Sequence, residues 1–404
     1  MWCRSAVAVR AVELARPLAA LDDVTAYEHV RVVFFWCGVP IANADIDNHG
    51  HPISVARLLD VAVQHCTMPL VERALTTQLA PLTGDAARVS DELSVSVVVA
   101  TLDRPQQLRG CLTALQAQTT RRPLNIVVVD NHPTSGVTAA VVKEFSGVVI
   151  VQEARPGPAY ARRAGILAAR GAIVACTDDD VVIPPQWVEA LVRPFADPTV
   201  MAVIGTVLPL ELESAAQRFS EAYGSLGGGF ERRAVDGHGF REFRTALPIW
   251  TPGMTAHAAF RATIFDDPAI GPIDEGLGPG MLGLGHDRYL FYRILKAGHQ
   301  IVCEPSAYVW HRHHRTMREL HRQVYRDSKE QVAYHLMTLL RDGDRRALGQ
   351  LAALPQWHAR QLSRWVWNRM RGRQFYPLSL LLLEIAGHLA GPWSLWRSRR
   401  RMGP

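Results

Sequence analysis

The sequence predicts an α/β protein with a doubly wound, mainly parallel sheet. From Ser94 to Asp178, short apolar segments rich in valine alternate with segments that carry apolar residues at helical spacing. Such alternation is typical of βαβ units, whose strands pair in parallel. Residues 94–102 are almost entirely apolar, as expected for a strand that is buried on both faces.

Each element of this series follows from its own pattern. Leu108, Leu112 and Leu115 fall on one stripe of a helix, whereas the strand segments are dominated by β-branched residues. The expected order is strand 94–102, helix 104–118, strand 124–130, helix 137–145, strand 148–153, helix 158–171 and strand 172–178.

Residues 1–90 are expected to form a small N-terminal α+β module. Residues 30–46 indicate two strands around a turn at Gly38, and residues 54–75 have a helical pattern. The polar segment 80–92 is predicted to link this module to the next domain.

The remainder is divided into a central domain, residues 91–315, and a C-terminal helical extension, residues 316–404. Residues 201–250 show little regularity, and the glycine-rich part at 227–240 is predicted to be a flexible loop, either a lid or a disordered segment. Helices are expected at 316–341 and 346–372. A short apolar helix is expected at 376–396, where Glu384, His388 and Gly391-Pro392 break the apolar run that a membrane span would need.

Composition narrows the class of protein. The 404 residues include 44 Lys and Arg against 38 Asp and Glu, and the basic residues crowd the C-terminal quarter. This balance suits an anionic partner, either a diphosphate or an acidic membrane surface, but no nucleic-acid motif accompanies it.

The six cysteines form no C-x-x-C pair, and the N-terminus has no signal-peptide pattern. A cytoplasmic protein is therefore expected. It could touch the membrane through its basic, tryptophan-bearing C-terminal segment, or that segment could pack on its own domain.

Polar side chains follow several of the predicted strands. Thr101, Asp130 and Arg155 lie at or just past strand ends, and Asp178, Asp179 and Asp180 follow the last strand of the series. Ligands of doubly wound sheets bind beyond the carboxyl ends of the strands. Three adjacent carboxylates repel one another unless a cation or a donor-rich ligand compensates them, so we expect a binding site here.

The order of these motifs resembles the family 2 glycosyltransferases, which have the GT-A nucleotide-sugar-binding fold. The resemblance spans roughly Ser94 to Arg315. It rests on "VVVD" at 127–130, "ARRAGI" at 161–166, the aspartate triplet, "GHDRYLFYRILKAG" at 285–298 and the His-rich segment after Trp310.

The resemblance implies roles for the residues around the nucleotide sugar. Asp180 would bind Mn²⁺ or Mg²⁺, because these ions prefer hard oxygen ligands. Asp178 would face the ribose, and Asp179 would assist either neighbour or only solvate the turn. The resemblance also implies that Asp130 would accept a hydrogen bond from the nucleobase. Thr101 matches the position at the end of the first strand where the family has a hydroxyl group. Phosphate would be attracted by two arginines near a helix N-terminus, Arg155 and Arg162.

The same resemblance implies acceptor chemistry in the second half of the domain. Asp287 matches the catalytic base, which would take the proton of the attacking hydroxyl. His286 stands where the family usually has Glu, and Tyr289 where a second Asp often lies, so the acceptor type is open. Arg163 replaces a common Asn. Trp250 is expected either to stack on the acceptor or to pack in the core.

A histidine in the segment after Trp310 completes the metal site in several family members. His311 occupies the matching position, and alternation would place His313 on the same face. The glycine run at 271–285 lacks the Lys-Ser/Thr ending of a P-loop and is expected to be an acceptor loop.

The predicted function is a metal-dependent, inverting transfer of sugar from a nucleoside-diphosphate sugar to a hydroxyl. The acceptor could be a cell-surface glycan, a lipid-linked sugar or a small natural product. Two alternatives remain open. One is a non-catalytic nucleotide- or glycan-binding protein on the same fold, and the other is a sugar nucleotidyltransferase, although the expected glycine-rich basic signature is absent near residue 101.

Overall fold

A computed structural model describes residues 5–83, 89–223, 229–243, 257–274, 285–372 and 376–401. The strands are β1 (Val7–Glu13), β2 (His29–Trp36), β3 (Val39–Asp47), β4 (Val95–Thr101), β5 (Leu124–Asp130), β6 (Val148–Gln152), β7 (Ile173–Asp178), β8 (Val181–Val182), β9 (Val200–Pro209), β10 (Arg233–Val235), β11 (His257–Arg261) and β12 (Gln300–His311).

Eleven α-helices accompany these strands in the described part of the chain. They are α1 (Val55–Thr83), α2 (Pro105–Gln116), α3 (Val137–Val142), α4 (Pro158–Ala168), α5 (Trp187–Val192), α6 (Ala215–Tyr223), α7 (Gly237–Glu242), α8 (Gly285–Lys296), α9 (Met317–Asp342), α10 (Arg346–Met370) and α11 (Leu378–Arg401).

The central sheet confirms the predicted α/β class. Its strand order is β10-β12-β9-β11-β7-β4-β5-β6, with β8 paired to β12. Strands β7, β4, β5 and β6 are parallel, whereas β11 runs antiparallel between β7 and β9. The sheet is therefore mixed, with a parallel half built by the predicted βαβ series.

Helices cover both faces of this sheet, which explains the apolar strand sequences. The predicted leucine stripe of α2 is fully buried on one face, together with Trp187 of α5. On the other face, α4, α8 and α9 pack over Val98, Val129 and Phe260. Two apolar layers thus hold the strand ends in fixed positions.

The N-terminal residues form a three-stranded sheet, in which β2 pairs with β1 in parallel and with β3 antiparallel. The turn at Gly38 is confirmed, with φ of +76° at this residue. Strand β1 was missed by the sequence analysis, and α1 continues through Thr83 into the predicted linker. Phe35 packs against Tyr308 and Trp310 of β12, so this sheet contacts the central one.

The described parts of residues 201–250 are more regular than their sequence indicates. Strand β9 pairs with β11 and β12 inside the sheet, and helix α6 follows it. The segment predicted as a flexible loop contains β10 and α7, and the Asp236 carboxylate caps α7 by accepting from the Gly239 N–H at 2.7 Å. Short elements of this kind depend on partners distant in sequence, which a local pattern does not reveal.

The C-terminal helices lie where they were predicted. Helix α9 begins with a capping box of Thr316 and Glu319, and α11 packs along it. The last helix is longer than expected, because α11 continues through Gly391 and Pro392 to Arg401. One helix among the described residues, Leu378–Arg400, is long and apolar enough to cross a membrane by length and composition, with 44% of its most apolar window buried in the chain.

Gly165 should be a position where a single methyl group destabilises the sheet–helix packing. A Cβ there would lie 2.3 Å from Val98 Cγ1 and 2.8 Å from Val129 Cγ2, so α4 would have to move off the sheet. We expect Gly165→Ala to lower the free energy of unfolding by about 1–3 kcal/mol, measured by denaturant titration. The matched control is Gly110→Ala in α2, where no atom lies within 4 Å of the added Cβ. This control should be neutral or stabilising by up to about 1 kcal/mol, and equal losses in both variants would contradict the explanation.

Candidate active site

The parallel strands bring the predicted polar residues to one edge of the sheet. Thr101 lies opposite Asp130 in the β4–β5 register, and Asp178 lies opposite Ala100 in the β4–β7 register. The aspartate triplet begins at the last residue of β7 and continues into the turn before β8. Three neighbouring strand ends therefore point their polar groups into the same region.

The middle aspartate of the triplet is buried and held by donors from the first strand–helix turn. The Thr101 hydroxyl donates to Asp179 Oδ2 at 2.6 Å, and Arg104 Nη1 donates to Asp179 Oδ1 at 3.1 Å. Burial raises the pKa of Asp179 to about 6, although Arg104 and Thr101 oppose this shift. Asp179 is thus part of the internal hydrogen-bond network.

Arg104 was not identified from the sequence. It also donates to Asp180 Oδ2 at 2.9 Å and therefore bridges two adjacent carboxylates. Its position is set by Pro105 at the start of α2 and by Asp103, whose φ is +51° and whose carboxylate contacts His132 Nδ1 at 2.6 Å. The dipeptide Arg104-Pro105 after a strand end was the available signal.

Arg162 connects the two halves of the site. This buried guanidinium donates from Nη2 to Asp178 Oδ1 at 2.9 Å, and from Nη1 to both Asp287 oxygens at 3.2 and 3.3 Å. Burial alone would lower the pKa of Arg162, but Asp287 and Asp178 outweigh it and raise that pKa above its usual value. Arg162 was predicted to attract phosphate, whereas here it pairs with carboxylates.

His286 is buried beside the predicted base. Its side chain has 0% exposure, and its Nε2 lies 2.6 Å from Asp287 Oδ1 and 3.2 Å from Arg162 Nη1. A guanidinium only donates and a carboxylate only accepts, so the shorter contact favours a proton on Nε2 that is donated to Asp287. The expected acceptor-side role of His286 stays a prediction. Tyr289 is also buried and donates its hydroxyl to Asp342 of α9 at 3.0 Å.

Asp180 and His311 face each other at the end of β12. The distance from Asp180 Oδ1 to His311 Nε2 is 3.5 Å, and Asp180 Oδ1 has no hydrogen-bond partner among the described residues. Burial lowers the pKa of His311, which favours the neutral ring. A neutral imidazole nitrogen and a carboxylate oxygen form a donor set that suits a divalent metal ion.

His313 has a different environment from His311. Its Nε2 lies 3.1 Å from Glu221 Oε2, while Glu221 Oε1 accepts from Arg31 Nη1 of β2 at 3.0 Å. The His311 and His313 rings pack edge to face with centroids 5.3 Å apart. His313 therefore links the candidate metal site to the N-terminal sheet.

The end of β5 contains a buried carboxylate with one unused acceptor. Asp130 Oδ1 accepts from the His132 N–H at 3.1 Å, whereas Asp130 Oδ2 has no hydrogen-bond partner in the described part of the chain. The adjacent Asn131 donates to the carbonyls of Glu153 and Arg155 and accepts from the Gly157 N–H, which fixes the loop after β6. The Arg155 guanidinium pairs with Glu153 and lies over the Tyr160 ring at 4.3 Å.

Parts of the predicted acceptor side lie outside the described residues. Trp250 and residues 275–284 of the glycine run are among them. Gly285, where the described chain resumes, begins α8 and places Asp287 in its first turn.

Comparisons with known proteins support the family resemblance. Residues 96–266 match the sequence model described as Glycosyl transferase family 2. The pre-mycofactocin glycosyltransferase of Mycobacterium tuberculosis (strain CDC 1551 / Oshkosh) is 29% identical over 233 residues, which cover 56% of this chain and 44% of that relative. Glycosyltransferase AglE of Haloferax volcanii is 23% identical over 276 residues, covering 65% of this chain and 79% of AglE. The chain thus spans less than half of the length of the first of these relatives.

A distant likeness to a solved structure accompanies these matches. The mannosyltransferase PcManGT from Pyrobaculum calidifontis, solved with GDP-Man and Mn²⁺, is 17% identical. The match covers 80% of this chain and 97% of PcManGT, with a TM-score of 0.46.

Loss of the Arg162 charge should destabilise the protein strongly. Arg162→Met would leave Asp178 and Asp287 without their shared cation, and breaking a buried pair in this way costs about 3–5 kcal/mol. We expect this loss in the free energy of unfolding, measured by denaturant titration. Adding Asp287→Asn should recover part of it, since one of the uncompensated charges is removed. Exposed Arg170→Met, the control, should change stability by less than about 0.5 kcal/mol, and a similar value for Arg162→Met would refute the assigned role.

Proposed function

We propose that this chain, whose residues 96–266 match the Glycosyl transferase family 2 model, transfers a sugar from a nucleoside-diphosphate sugar to an acceptor hydroxyl with inversion at the anomeric carbon. The observation that carries this proposal is the meeting of the Asp178–Asp180 triplet with Thr101, Arg162, Asp287 and His311 at one edge of the sheet. Inversion itself rests on the resemblance to the family.

The charge balance of this cluster supports a divalent cation. Four carboxylates, those of the triplet and Asp287, face two guanidinium groups, those of Arg104 and Arg162. Asp180 Oδ1 and His311 Nε2 are the donor atoms best suited to hold the ion, as Mn²⁺ or Mg²⁺. When bound, such an ion stabilises the negative charge that develops on the departing nucleoside diphosphate.

Side chains around the strand ends would position the donor. Asp130 offers its unused Oδ2 to an N–H of the nucleobase, and Asp178 lies beside it across β4, on the proposed ribose side. Asp179 and Thr101 form the floor of the site through their mutual hydrogen bond. Arg155 would attract the diphosphate at the loop that precedes α4. Arg162 acts indirectly, by holding the Asp178 carboxylate in place.

Asp287 is the proposed catalytic base. A sugar hydroxyl becomes a competent nucleophile when a positioned carboxylate takes its proton in the transition state. Arg162 keeps Asp287 ionised, since the adjacent positive charge favours the charged carboxylate. His286 orients the carboxylate through its short contact with Oδ1, and is therefore a positioning residue.

The acceptor is proposed to be a cell-surface glycan, a lipid-linked sugar or a small natural product, used on the cytoplasmic side of the membrane. Helix α11 supports a peripheral membrane contact, because it exposes several large apolar residues. Glu384 and His388 face α9 and α10 and are buried, whereas the large apolar residues Leu382, Leu389, Trp393 and Trp396 are exposed. Arginines at 397, 399 and 400 follow this apolar face and suit anionic headgroups.

Nucleotide binding provides the first test of the donor site. In thermal unfolding with UDP, TDP or GDP, each with and without Mn²⁺, we expect one nucleotide to stabilise the protein only with the metal. At about 100 times the dissociation constant, this ligand should add roughly 2.7 kcal/mol. The shift should be lost in Asp180→Asn and kept in Asp60→Asn, which alters an exposed carboxylate on α1. No shift with any nucleotide would favour the non-catalytic alternative.

A variant of Asp287 distinguishes a loss of catalysis from a loss of nucleotide binding. Asp287→Asn should keep the metal-dependent nucleotide shift while the rate of sugar transfer or donor hydrolysis falls about 10²–10⁴-fold, because the base is lost. Unchanged turnover in this variant would rule out Asp287 as the base.

Membrane contact predicts a dependence on lipid charge. The chain should sediment with vesicles that contain phosphatidylserine and much less with pure phosphatidylcholine. Leu389→Ser should weaken this binding about tenfold, as expected from removing one large apolar side chain from the interface. Leu340→Ser, an exposed leucine at the end of α9, serves as the control. Equal binding by both variants would exclude α11 as the contact.

A further inference from the structure

Helix α10 is attached to the protein with little apolar burial. Of its 25 residues, all of which are described, Ala347 near the N-terminus is the buried one. Further along, α10 meets α11 through polar contacts: Trp357 Nε1 donates to Glu384 Oε1 at 2.9 Å, and His358 Nε2 lies 2.9 Å from His388 Nδ1. Long helices are usually held by an apolar face, so this attachment calls for another source of stability.

The polar contacts bring together a set of metal-binding side chains. One potential ligand atom from each of His358, Glu384 and His388 lies within 4.8 Å of the other two. Glu384 and His388 are four residues apart on α11, so they share one face, and their exposures are 4% and 8%. No Lys or Arg among the described residues forms an ion pair with Glu384, so its buried charge faces two imidazoles without a cation.

The hydrogen bonds define which nitrogen atoms have free lone pairs. Gln331 Oε1 lies 3.2 Å from His388 Nε2, and because a carbonyl oxygen only accepts, Nε2 carries the proton. His388 Nδ1 then directs its lone pair at His358 Nε2. His358 must donate from Nε2, which leaves its buried Nδ1 without a hydrogen-bond partner among the described residues. A cation between the rings would take the place of the proton on His358 Nε2. The His358 ring would then carry its proton on Nδ1.

We infer that His358, Glu384 and His388 form a Zn²⁺ site that joins α10 to α11. Two imidazole nitrogens and one carboxylate oxygen are the three-ligand set that zinc binds with water at the fourth position. Zn–N bonds of about 2.0–2.1 Å in a tetrahedron separate the two nitrogens by about 3.3 Å, so the 2.9 Å contact widens by only a few tenths of an ångström. The ion also compensates the buried Glu384 charge.

The surroundings of the cluster resemble the outer partners of metal sites. The Gln331 amide oxygen fixes the tautomer and orientation of His388, and the Trp357 N–H fixes one oxygen of Glu384. The site crosslinks three helices, since Gln331 belongs to α9. It is separate from the proposed donor site, whose ligands Asp180 and His311 lie at the ends of β7 and β12.

The test uses the full chain with Asp180→Asn, which removes the donor-site ion from the measurement. After treatment with a chelator, this protein should bind one equivalent of Zn²⁺, raise its melting temperature with zinc and give the visible absorption of tetrahedral Co²⁺. His358→Gln and Glu384→Gln should abolish all three signals. The matched control, His65→Gln on the exposed face of α1, should keep them.

A weaker variant guards against loss of folding. Gln331→Ala leaves all three ligands in place and should reduce zinc affinity about 10–100-fold, as expected for an outer partner of a ligating histidine. Circular dichroism checks that each variant is folded. The inference is overturned if no tight equivalent of zinc binds, or if folded His358→Gln and Glu384→Gln bind zinc as the parent does.

Discussion

The ion pairs of Arg162 are the interaction on which the candidate active site depends. One guanidinium satisfies Asp178 at the end of β7 and Asp287 in the first turn of α8, two carboxylates 109 residues apart in sequence. Without it, the buried Asp287 and the half-buried Asp178 would have no shared cation, which disfavours the charged form of each carboxylate. The donor half and the acceptor half of the site therefore require the same side chain.

The position of Arg162 depends in turn on close packing. It lies on α4, one turn before Gly165, where the helix comes so close to Val98 and Val129 that no side chain fits. A helix held at this distance directs Arg162 along the sheet edge towards the strand ends. The apolar packing of α4 on the sheet thus sets the position of the Arg162 charge in the site.

The regions outside the central domain are joined to it by polar as well as apolar contacts. His313, Glu221 and Arg31 form a buried chain of ion pairs from the segment after β12 to the N-terminal sheet, next to the proposed metal ligand His311. At the C-terminus, α11 buries Glu384 and His388 and exposes several large apolar residues.

The sequence by itself determined the βαβ series, the strand ends that carry Thr101, Asp130 and Asp178, and the C-terminal helices, because these features follow from local periodicity. It missed β1 and β9, since a strand between distant partners has no distinctive local pattern. It also missed Arg104, because the Arg104-Pro105 dipeptide after a strand end does not show which carboxylates the guanidinium contacts. It also predicted an acceptor-side His286 and a phosphate-facing Arg162. Only the tertiary structure decided that both are buried against Asp287, because burial and charge pairing depend on which helices the sheet brings together.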